Sequence, residues 1–175
     1  MHVNKLLMDI MRSEWLMSFE GLTAYAPIAH KIITGESLNI GNKTSAIVTI
    51  LDDNGKKVLA DKDNGMVVPR GSVAVIDMIG PVIKYGDFCT YGADEIVNAL
   101  RLADANPNII GSVLNVDGPG GAVSAIGPFM DFGAKKKKPV VGLADQACSL
   151  HYWALCAATD YKMTDNNVSA QFGSV

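Results

Sequence analysis

Apolar and polar residues follow one another differently in the first third of the chain and in the rest. Over residues 4–20, apolar residues recur at the spacing of a helix, which predicts an amphipathic helix. Pro27 and the polar stretch that follows it interrupt that pattern. Residues 45–53 then predict a strand, and the Asn-Gly pairs at 54–55 and 64–65 predict turns on either side of a hairpin arm.

From residue 66 onward the pattern alternates regularly between short apolar runs and amphipathic segments. The apolar runs predict strands over 72–80, 109–117, 139–145 and 161–164. The amphipathic segments predict helices over 91–106, 121–134 and 149–159. Pro128 is expected to disturb the second of these helices. This alternation is typical of the α/β class, so we expect a mostly parallel sheet with flanking helices over 66–175, preceded by a partly helical extension over 1–65.

Composition and charge exclude several classes of protein. The 175 residues carry a formal net charge of −3, from 15 basic and 18 acidic side chains, whereas a dedicated nucleic-acid binder has a basic excess. No apolar run approaches the ~18 residues of a membrane span. Charged residues interrupt the first apolar segment, unlike the core of a signal peptide. We therefore expect a cytoplasmic protein without a membrane span, a nucleic-acid partner, a metal or a cofactor.

Two further features have both a structural and a functional interpretation. The lysine run 135–138 lies between a predicted helix and a predicted strand. Cations are favourable at the C-terminal end of a helix, so the run is interpreted as a solvated helix end. A patch for nucleic acid or an acidic partner is the alternative.

The cysteines have neither redox nor zinc-finger spacing. They are expected to be buried apolar residues in a reducing compartment, with one reactive thiol as the alternative. The cysteines are Cys89, Cys148 and Cys156.

A cluster of glycines lies where the predicted strand 109–117 gives way to a helix. We call residues 118–121, with the sequence Gly-Pro-Gly-Gly, the glycine loop. Consecutive glycines let backbone N–H groups approach a ligand, and a helix N-terminus adds unpaired donors. Such a loop suits a phosphate, a carboxylate or the oxyanion of a tetrahedral intermediate. It matches neither nucleotide-binding glycine motif, and a tight turn without a ligand is an equal alternative.

Two candidate nucleophiles stand side by side after the predicted strand 139–145. Cys148 and Ser149 follow Gln146 and Ala147 and open an apolar helix. Ser149 taken alone is most simply a helix N-cap. The Gln-Ala-Cys sequence resembles the caspase signature, but the histidine that caspases carry ~50 residues upstream is missing. Ser149 is therefore the better candidate nucleophile.

Taken together, the two segments resemble the signal peptide peptidase A family of serine proteases, which has the Clp protease/crotonase fold and includes phage head-maturation proteases. The resemblance covers residues 72–175. The glycine loop is similar to the family's Ser-Pro-Gly-Gly segment, with Gly118 in place of the serine. Residues 149–152 are similar to its Ser-Gly-Gly-Tyr helix start, and residues 173–175 are similar to a later Gly-Ser segment.

The resemblance implies a function and a set of site residues. It implies that Ser149 is the nucleophile of a serine endopeptidase, and that N–H groups of Gly120 or Gly121 and of Leu150 form the oxyanion hole. It also implies a polypeptide substrate that lies extended beside the glycine loop and pairs as an added strand. The phage members act on capsid and scaffold proteins inside procapsids, and the fold commonly forms homo-oligomers.

The general base is the missing part of this catalytic set. In the family it is a lysine that lies further along the chain than Val175, the last residue here. His151 stands two positions after Ser149 and is expected to line a pocket or the surface. Lys162 is interpreted as structural, and Lys84 is a candidate base only if the fold brings it close to Ser149.

Three explanations for the missing lysine remain open. The chain is a piece of a longer protease, a neighbouring subunit supplies the lysine, or catalysis has been lost and the fold serves assembly. The first is favoured because the sequence stops within a family motif at 173–175. A crotonase-type acyl-CoA enzyme is a further alternative, since it shares the fold and the glycine oxyanion hole, although the sequence contains no adenine-binding signature.

Overall fold

The computed structural model describes residues 11–36, 46–59, 67–86, 90–164 and 170–173. Its strands are β1 (Trp15–Met17), β2 (Val48–Leu51), β3 (Ser72–Ile79), β4 (Ile109–Gly118), β5 (Gly120–Ala122), β6 (Val140–Cys148), β7 (Tyr161–Thr164) and β8 (Gln171–Gly173). Its helices are α1 (Phe19–Thr34), α2 (Ala93–Ala105), α3 (Ile126–Lys135) and α4 (Leu150–Ala158), with a 3₁₀ turn (Val123–Ala125) before α3. The longest of these helices, α1, has 16 residues, and no helix in the described ranges has the length and apolar character of a membrane span.

The main sheet has the strand order β2-β3-β4-β6-β7, and β8 also pairs with β6. Strand β2 is antiparallel to β3, whereas the pairings β3–β4, β4–β6, β6–β7 and β6–β8 are all parallel. Strands β1 and β5 form a separate antiparallel pair. The predicted α/β class is confirmed, with the antiparallel β2 making the sheet mixed.

The hydrophobic core lies between the central strands β3, β4 and β6 and the helices α2, α3 and α4. Side chains alternate along β3, so that every second residue is buried. Full burial of one large apolar side chain contributes about 1.5–3 kcal/mol. The largest buried side chains include Ile76, Met78, Leu114, Leu100, Phe129 and Leu155.

The N-terminal part of the described chain differs from the helix predicted over 4–20. Residues 1–10 lie outside the described residues, and residues 11 and 12 are helical. Trp15–Met17 is instead a strand, because it pairs with β5, which stands more than 100 positions later in the sequence. Helix α1 begins after Ser18, whose side chain accepts a hydrogen bond from the N–H of Gly21 at 3.1 Å. Pro27, expected to interrupt the helical pattern, lies inside α1.

The segment predicted as a helix over 121–134 also begins differently. Its first residues complete β5 and the 3₁₀ turn, and α3 begins only at Ile126. Pro128 then falls in the first turn of α3, where an N–H has no intrahelical acceptor, so the expected disturbance does not occur. Strand β6 continues to Cys148, past its predicted end, because its last residues pair with β8.

The first of the two predicted Asn-Gly turns lies in a hairpin after β2. The N–H of Asp52 donates to the carbonyl of Lys56 at 2.9 Å, and the N–H of Val58 donates to the carbonyl of Ile50 at 2.9 Å. The second Asn-Gly pair, at 64–65, lies outside the described residues.

The lysine run 135–138 makes structural contacts. Lys138 Nζ donates to the carbonyls of Ala103 and Asn106 at the C-terminal end of α2. Lys136 Nζ lies 2.5 Å from a carboxylate oxygen of Asp160. Cations near the last carbonyls of a helix stabilise it by about 0.3–1 kcal/mol, which accounts for the Lys138 contacts with α2, whereas Lys136 forms an ion pair.

The close packing of α3 on α4 leads to a stability prediction. A Cβ at Gly133 would overlap the carbonyl oxygen of Ala157, whereas a Cβ at Gly127, on the exposed side of the same helix, would meet no atom within 4 Å. We expect Gly133→Ala to lower the free energy of unfolding by about 1–3 kcal/mol. Gly127→Ala, the matched control, is expected to raise it by up to about 1 kcal/mol.

Urea denaturation followed by circular dichroism measures both changes. Equal effects of the two substitutions would contradict the packing of these helices.

Candidate active site

The carboxyl ends of the parallel strands β3, β4 and β6 meet at one edge of the sheet, which is where α/β proteins commonly bind ligands. Gly118, the last residue of β4, lies opposite Ala147 of β6. The N–H of Gly80, directly after β3, donates to the carbonyl of Asp117 at 2.8 Å. The glycine loop and the start of α4, which the sequence singles out separately, are therefore neighbours.

A bulge in β6 directs its last residues into this edge. Val116 of β4 lies opposite Ala144, but Asp117 lies opposite Gln146, so Asp145 is an extra residue in β6. Bulges bend a strand and re-aim its side chains, and they are frequent beside active sites. After the bulge, β6 pairs with β8 rather than with β7.

Ser149 occupies a strained corner between β6 and α4. Its backbone has φ +53° and ψ −112°, and it is the one non-glycine residue with positive φ in the described ranges. A non-glycine residue in such a conformation costs about 1–3 kcal/mol and persists only where its surroundings enforce it. Here the N–H of Ser149 donates to the carbonyl of Gly173 at 2.7 Å, and its carbonyl accepts from the N–H of Trp153 at 3.1 Å.

The hydroxyl of Ser149 does not cap helix α4, although the residue stands at the N-cap position. The interpretation of its side chain as a simple helix cap is therefore wrong. Across the part of the chain that is described, neither this hydroxyl nor the N–H of Leu150 has a hydrogen-bond partner. Ser149 is half-buried. A sharp, strained strand-to-helix turn can expose a serine hydroxyl beside a free N–H, which makes Ser149 the candidate nucleophile.

The neighbouring cysteine is a poor nucleophile. Cys148 is 2% exposed, and its expected burial is confirmed. Burial raises the pKa of its thiol, and the charge of Glu20 raises it further. Because the thiolate is the reactive form, both effects disfavour chemistry at Cys148. Of the other two cysteines, Cys156 is exposed, contrary to expectation, and Cys89 lies outside the described residues.

His151 is fully buried behind the glycine loop rather than at the surface. Its Nδ1 accepts a hydrogen bond from the N–H of Gly120 at 3.0 Å, which assigns the proton of the neutral ring to Nε2. Burial lowers the pKa of His151 to about 4, and smaller contributions from the backbones of Gly80 and Gly120 oppose that decrease. Nε2 is buried without a hydrogen-bond partner among the described residues.

Gly118 and His151 depend on each other sterically. A Cβ at position 118 would overlap Nε2 of His151 and also approach the carbonyl oxygen of Gly80 at 2.7 Å. The absence of a side chain at position 118 therefore leaves the space that the ring of His151 occupies.

The three predicted oxyanion donors are in different states. The Gly120 N–H is bound to His151, so it is not available to an oxyanion in this arrangement. At the two ends of the β1–β5 ladder, the Val123 N–H donates to the Glu14 carbonyl at 2.8 Å and the Ser18 N–H donates to the Pro119 carbonyl at 2.7 Å. Hydrogen-bonded pairs alternate along an antiparallel ladder.

The pair Leu16–Gly121 lies midway between those two bonds and is therefore a hydrogen-bonded pair. Its register directs the N–H of Gly121 to the carbonyl of Leu16. Of the three predicted donors, the Leu150 N–H is the one without an acceptor among the described residues.

The two lysines considered as substitute bases contact other residues. Lys162 is exposed on β7, and it contributes to lowering the pKa of Asp160, after the larger effects of Lys136 and the Val140 N–H. Lys84 Nζ lies 5.1 Å from the ring centre of Tyr85. Neither forms a hydrogen bond with Ser149 in the described ranges. The same ranges contain no group of three or more His, Cys, Asp or Glu side chains arranged to hold a metal ion.

The chain matches no protein-family model and no curated protein sequence.

The strain at Ser149 can be measured by comparing two substitutions that both remove the hydroxyl. Glycine adopts positive φ without steric cost, whereas alanine retains the strain. We expect Ser149→Gly to be more stable than Ser149→Ala by about 1 kcal/mol in urea denaturation. A glycine variant that is no more stable than the alanine variant would contradict the observed corner geometry.

The buried His151 leads to a pH prediction. Its pKa is about 4 in the folded chain and about 6.5 when unfolded, so between these values the unfolded chain binds the extra proton. Stability should therefore fall as the pH is lowered from 6.5 to 4, by about 3 kcal/mol in total from this residue.

Urea denaturation between pH 7 and pH 4.5 measures this effect. His151→Gln, which cannot titrate, is expected to lose less stability over that range than the unsubstituted chain. Parallel losses in the two proteins would mean that His151 is not buried in neutral form.

Proposed function

We propose that the chain is the peptidase part of a serine endopeptidase of the signal peptide peptidase A type, with the Clp protease/crotonase fold and Ser149 as nucleophile. The observation that carries the proposal is the strained backbone of Ser149 at the β6–α4 corner, beside the glycine loop, with a hydroxyl that does not cap the helix. Strain of this kind is kept where function requires it. The buried, high-pKa thiol of Cys148 favours the serine over the cysteine.

The proposed reaction begins with attack of Ser149 Oγ on a peptide carbonyl carbon, while the hydroxyl proton passes to a general base. The resulting oxyanion accepts hydrogen bonds from the Leu150 N–H and, when it is free, the Gly121 N–H. Loss of one such donor costs about 2.7–4 kcal/mol in the transition state. The intermediate then expels the amine, which takes the proton from the base, and water hydrolyses the acyl-enzyme ester.

His151 does not supply the base in this proposal. Its Nδ1 is occupied by the Gly120 N–H, and its Nε2 carries the proton and is directed at Gly118, so the ring has no free acceptor. A lysine from another part of the polypeptide or from a neighbouring subunit is the proposed base. At its ordinary pKa of about 10.4, a lysine loses its proton at pH 7 at a cost of roughly 4–5 kcal/mol, which burial must offset.

The proposed substrate is an extended polypeptide. The phage branch of the family suggests capsid or scaffold proteins, and the fold suggests a homo-oligomer. The second candidate is a catalytically inactive assembly protein of the same fold. It is favoured by one observation, that Gly120 and Gly121 both already donate their N–H groups. A crotonase-type acyl-CoA enzyme would not require Ser149 in a strained conformation.

A fluorophosphonate probe tests the nucleophile directly. The serine oxygen forms a bond to phosphorus while fluoride leaves and the hydroxyl proton passes to solvent. With a biotinylated probe at pH 8, in a preparation that includes the source of the proposed lysine base, we expect mass spectrometry of tryptic peptides to locate the label on Ser149. Cys148→Ala should be labelled within about twofold of the unsubstituted chain, and cleavage of β-casein should follow the same order.

Ser149→Ala should lose this label and any casein cleavage while its circular dichroism spectrum is unchanged. Ser124, which is exposed, provides the internal comparison for nonspecific reaction. Labelling of Ser149 no faster than of Ser124, or cleavage retained in Ser149→Ala, would overturn the proposed function.

A further inference from the structure

Strand β1 occupies the edge of β5 at which a peptide would pair. On its other edge, β5 is bonded to the segment after β3, through Val82 N–H to the Gly120 carbonyl at 3.1 Å and Ala122 N–H to the Val82 carbonyl at 2.8 Å. Both polar groups of Gly121 therefore point toward β1, where Leu16 lies opposite. An extended polypeptide that adds to this sheet must use those same groups.

The start of α1 continues this coverage over the glycine loop. The Ser18 N–H donates to the Pro119 carbonyl at 2.7 Å. Gly21 packs so closely on Pro119 that a Cβ at Gly21 would overlap the Cβ of Pro119. The influence of Glu20 on the pKa of Cys148 indicates that the helix start also lies near the nucleophile corner.

Further along α1, Tyr25 lies close to the ends of β3 and β4. Its hydroxyl oxygen is 3.7 Å from the position of a Cβ at Gly80. Burial raises the pKa of Tyr25, and the charge of Asp117 raises it further. Residues 14–25 thus run along the candidate site from the glycine loop to the strand ends.

This N-terminal segment is held by little buried apolar surface. Of the 16 residues of α1, Gly21 is the one that is buried. Phe19 is 73% exposed and Leu22 is 53% exposed. The strand that precedes them has three residues. Few buried contacts give a segment a low free energy of local opening compared with that of the core sheet.

We propose that β1 and the start of α1 are a displaceable occupant of the substrate-strand site, so that an extended polypeptide binds by replacing β1 on β5. This inference rests on the proposed function for the identity of the ligand. The Gly121 N–H donates to one carbonyl in this geometry, so β1 and a substrate strand exclude each other. The apparent affinity for substrate is then reduced by the fraction of molecules in which the segment is open.

A disulfide lock tests the exclusion. Trp15 and Ala122 form a non-hydrogen-bonded pair in the ladder, for which the Cα separation is about 4.5 Å, within the range of a disulfide. Trp15→Cys with Ala122→Cys, in a background with the native cysteines changed to Ala, gives the lock. The probe is a fluorescein-labelled peptide with the sequence of residues 12–19, and its binding is followed by fluorescence anisotropy.

We expect the oxidised lock to bind this peptide at least tenfold more weakly than the same protein after reduction with dithiothreitol. Fluorophosphonate labelling of Ser149 should change in the same direction. Trp15→Cys alone should respond to neither oxidation nor reduction, and a peptide with proline in place of leucine should not bind, because proline lacks the N–H that the ladder requires.

A release variant tests the same inference without a disulfide. Gly21→Ala adds a methyl group that overlaps Pro119, so it should weaken docking of the segment and increase peptide affinity and Ser149 labelling several-fold. Gly127→Ala adds a methyl group to an open helical position and is the matched control, expected to change neither.

The outcomes separate the two proposals. If the peptide binds equally to the oxidised and reduced lock, the exclusion is overturned, whether or not Ser149 reacts. If Ser149 is labelled equally in both forms and peptide binding is also equal, the proposed nucleophile stands without the exclusion. If binding changes as expected but Ser149 is never labelled, the occupied strand site stands and the serine chemistry fails.

Discussion

The close approach of backbone to backbone at the glycine loop is the constraint on which the rest of the site depends. A side chain at Gly120 would overlap the carbonyl of Leu16, and one at Gly121 would overlap the carbonyl of Val82. Because these positions lack a Cβ, β5 is able to bond to segments on both of its edges. Gly120 also has φ +121°, a conformation that L-residues rarely adopt.

Two unfavourable features lie within three positions of each other at the start of α4. Ser149 has a strained backbone, and His151 has a buried Nε2 without a hydrogen-bond partner among the described residues. An unsatisfied buried polar group costs about 1–3 kcal/mol, comparable with the strain of the serine. The packed core of β3, β4 and β6 offsets these costs. Their concentration at one corner is typical of a site in which stability has been exchanged for function.

The N-terminal segment and the glycine loop pack against each other, although they are more than 100 residues apart in sequence. The bond from the Gly120 N–H to His151 fixes one face of the loop, and β1 covers the other. The bond between Gly120 and His151 is buried and independent of any ligand. The pairing of β5 with β1 uses the backbone groups that a peptide would need. Helix α1 has few buried residues, and a segment with few buried contacts opens more readily than the core sheet.

The sequence by itself predicted strands β3, β4, β6 and β7 and helices α2 and α4, and it singled out the glycine loop and Ser149 as separate features. Apolar periodicity specifies those strands and helices locally, and parallel strands bring their carboxyl ends to one edge. Only the tertiary structure decided that Trp15–Met17 is a strand, that α3 begins after a 3₁₀ turn, and that His151 points inward. Each of these depends on a distant partner. Strand β1 requires β5, and the segment before α3 requires β1 and Val82. The inward position of His151 requires the absent side chain of Gly118. Local pattern contains no information about such pairings, because their energy arises only when the two segments are in contact.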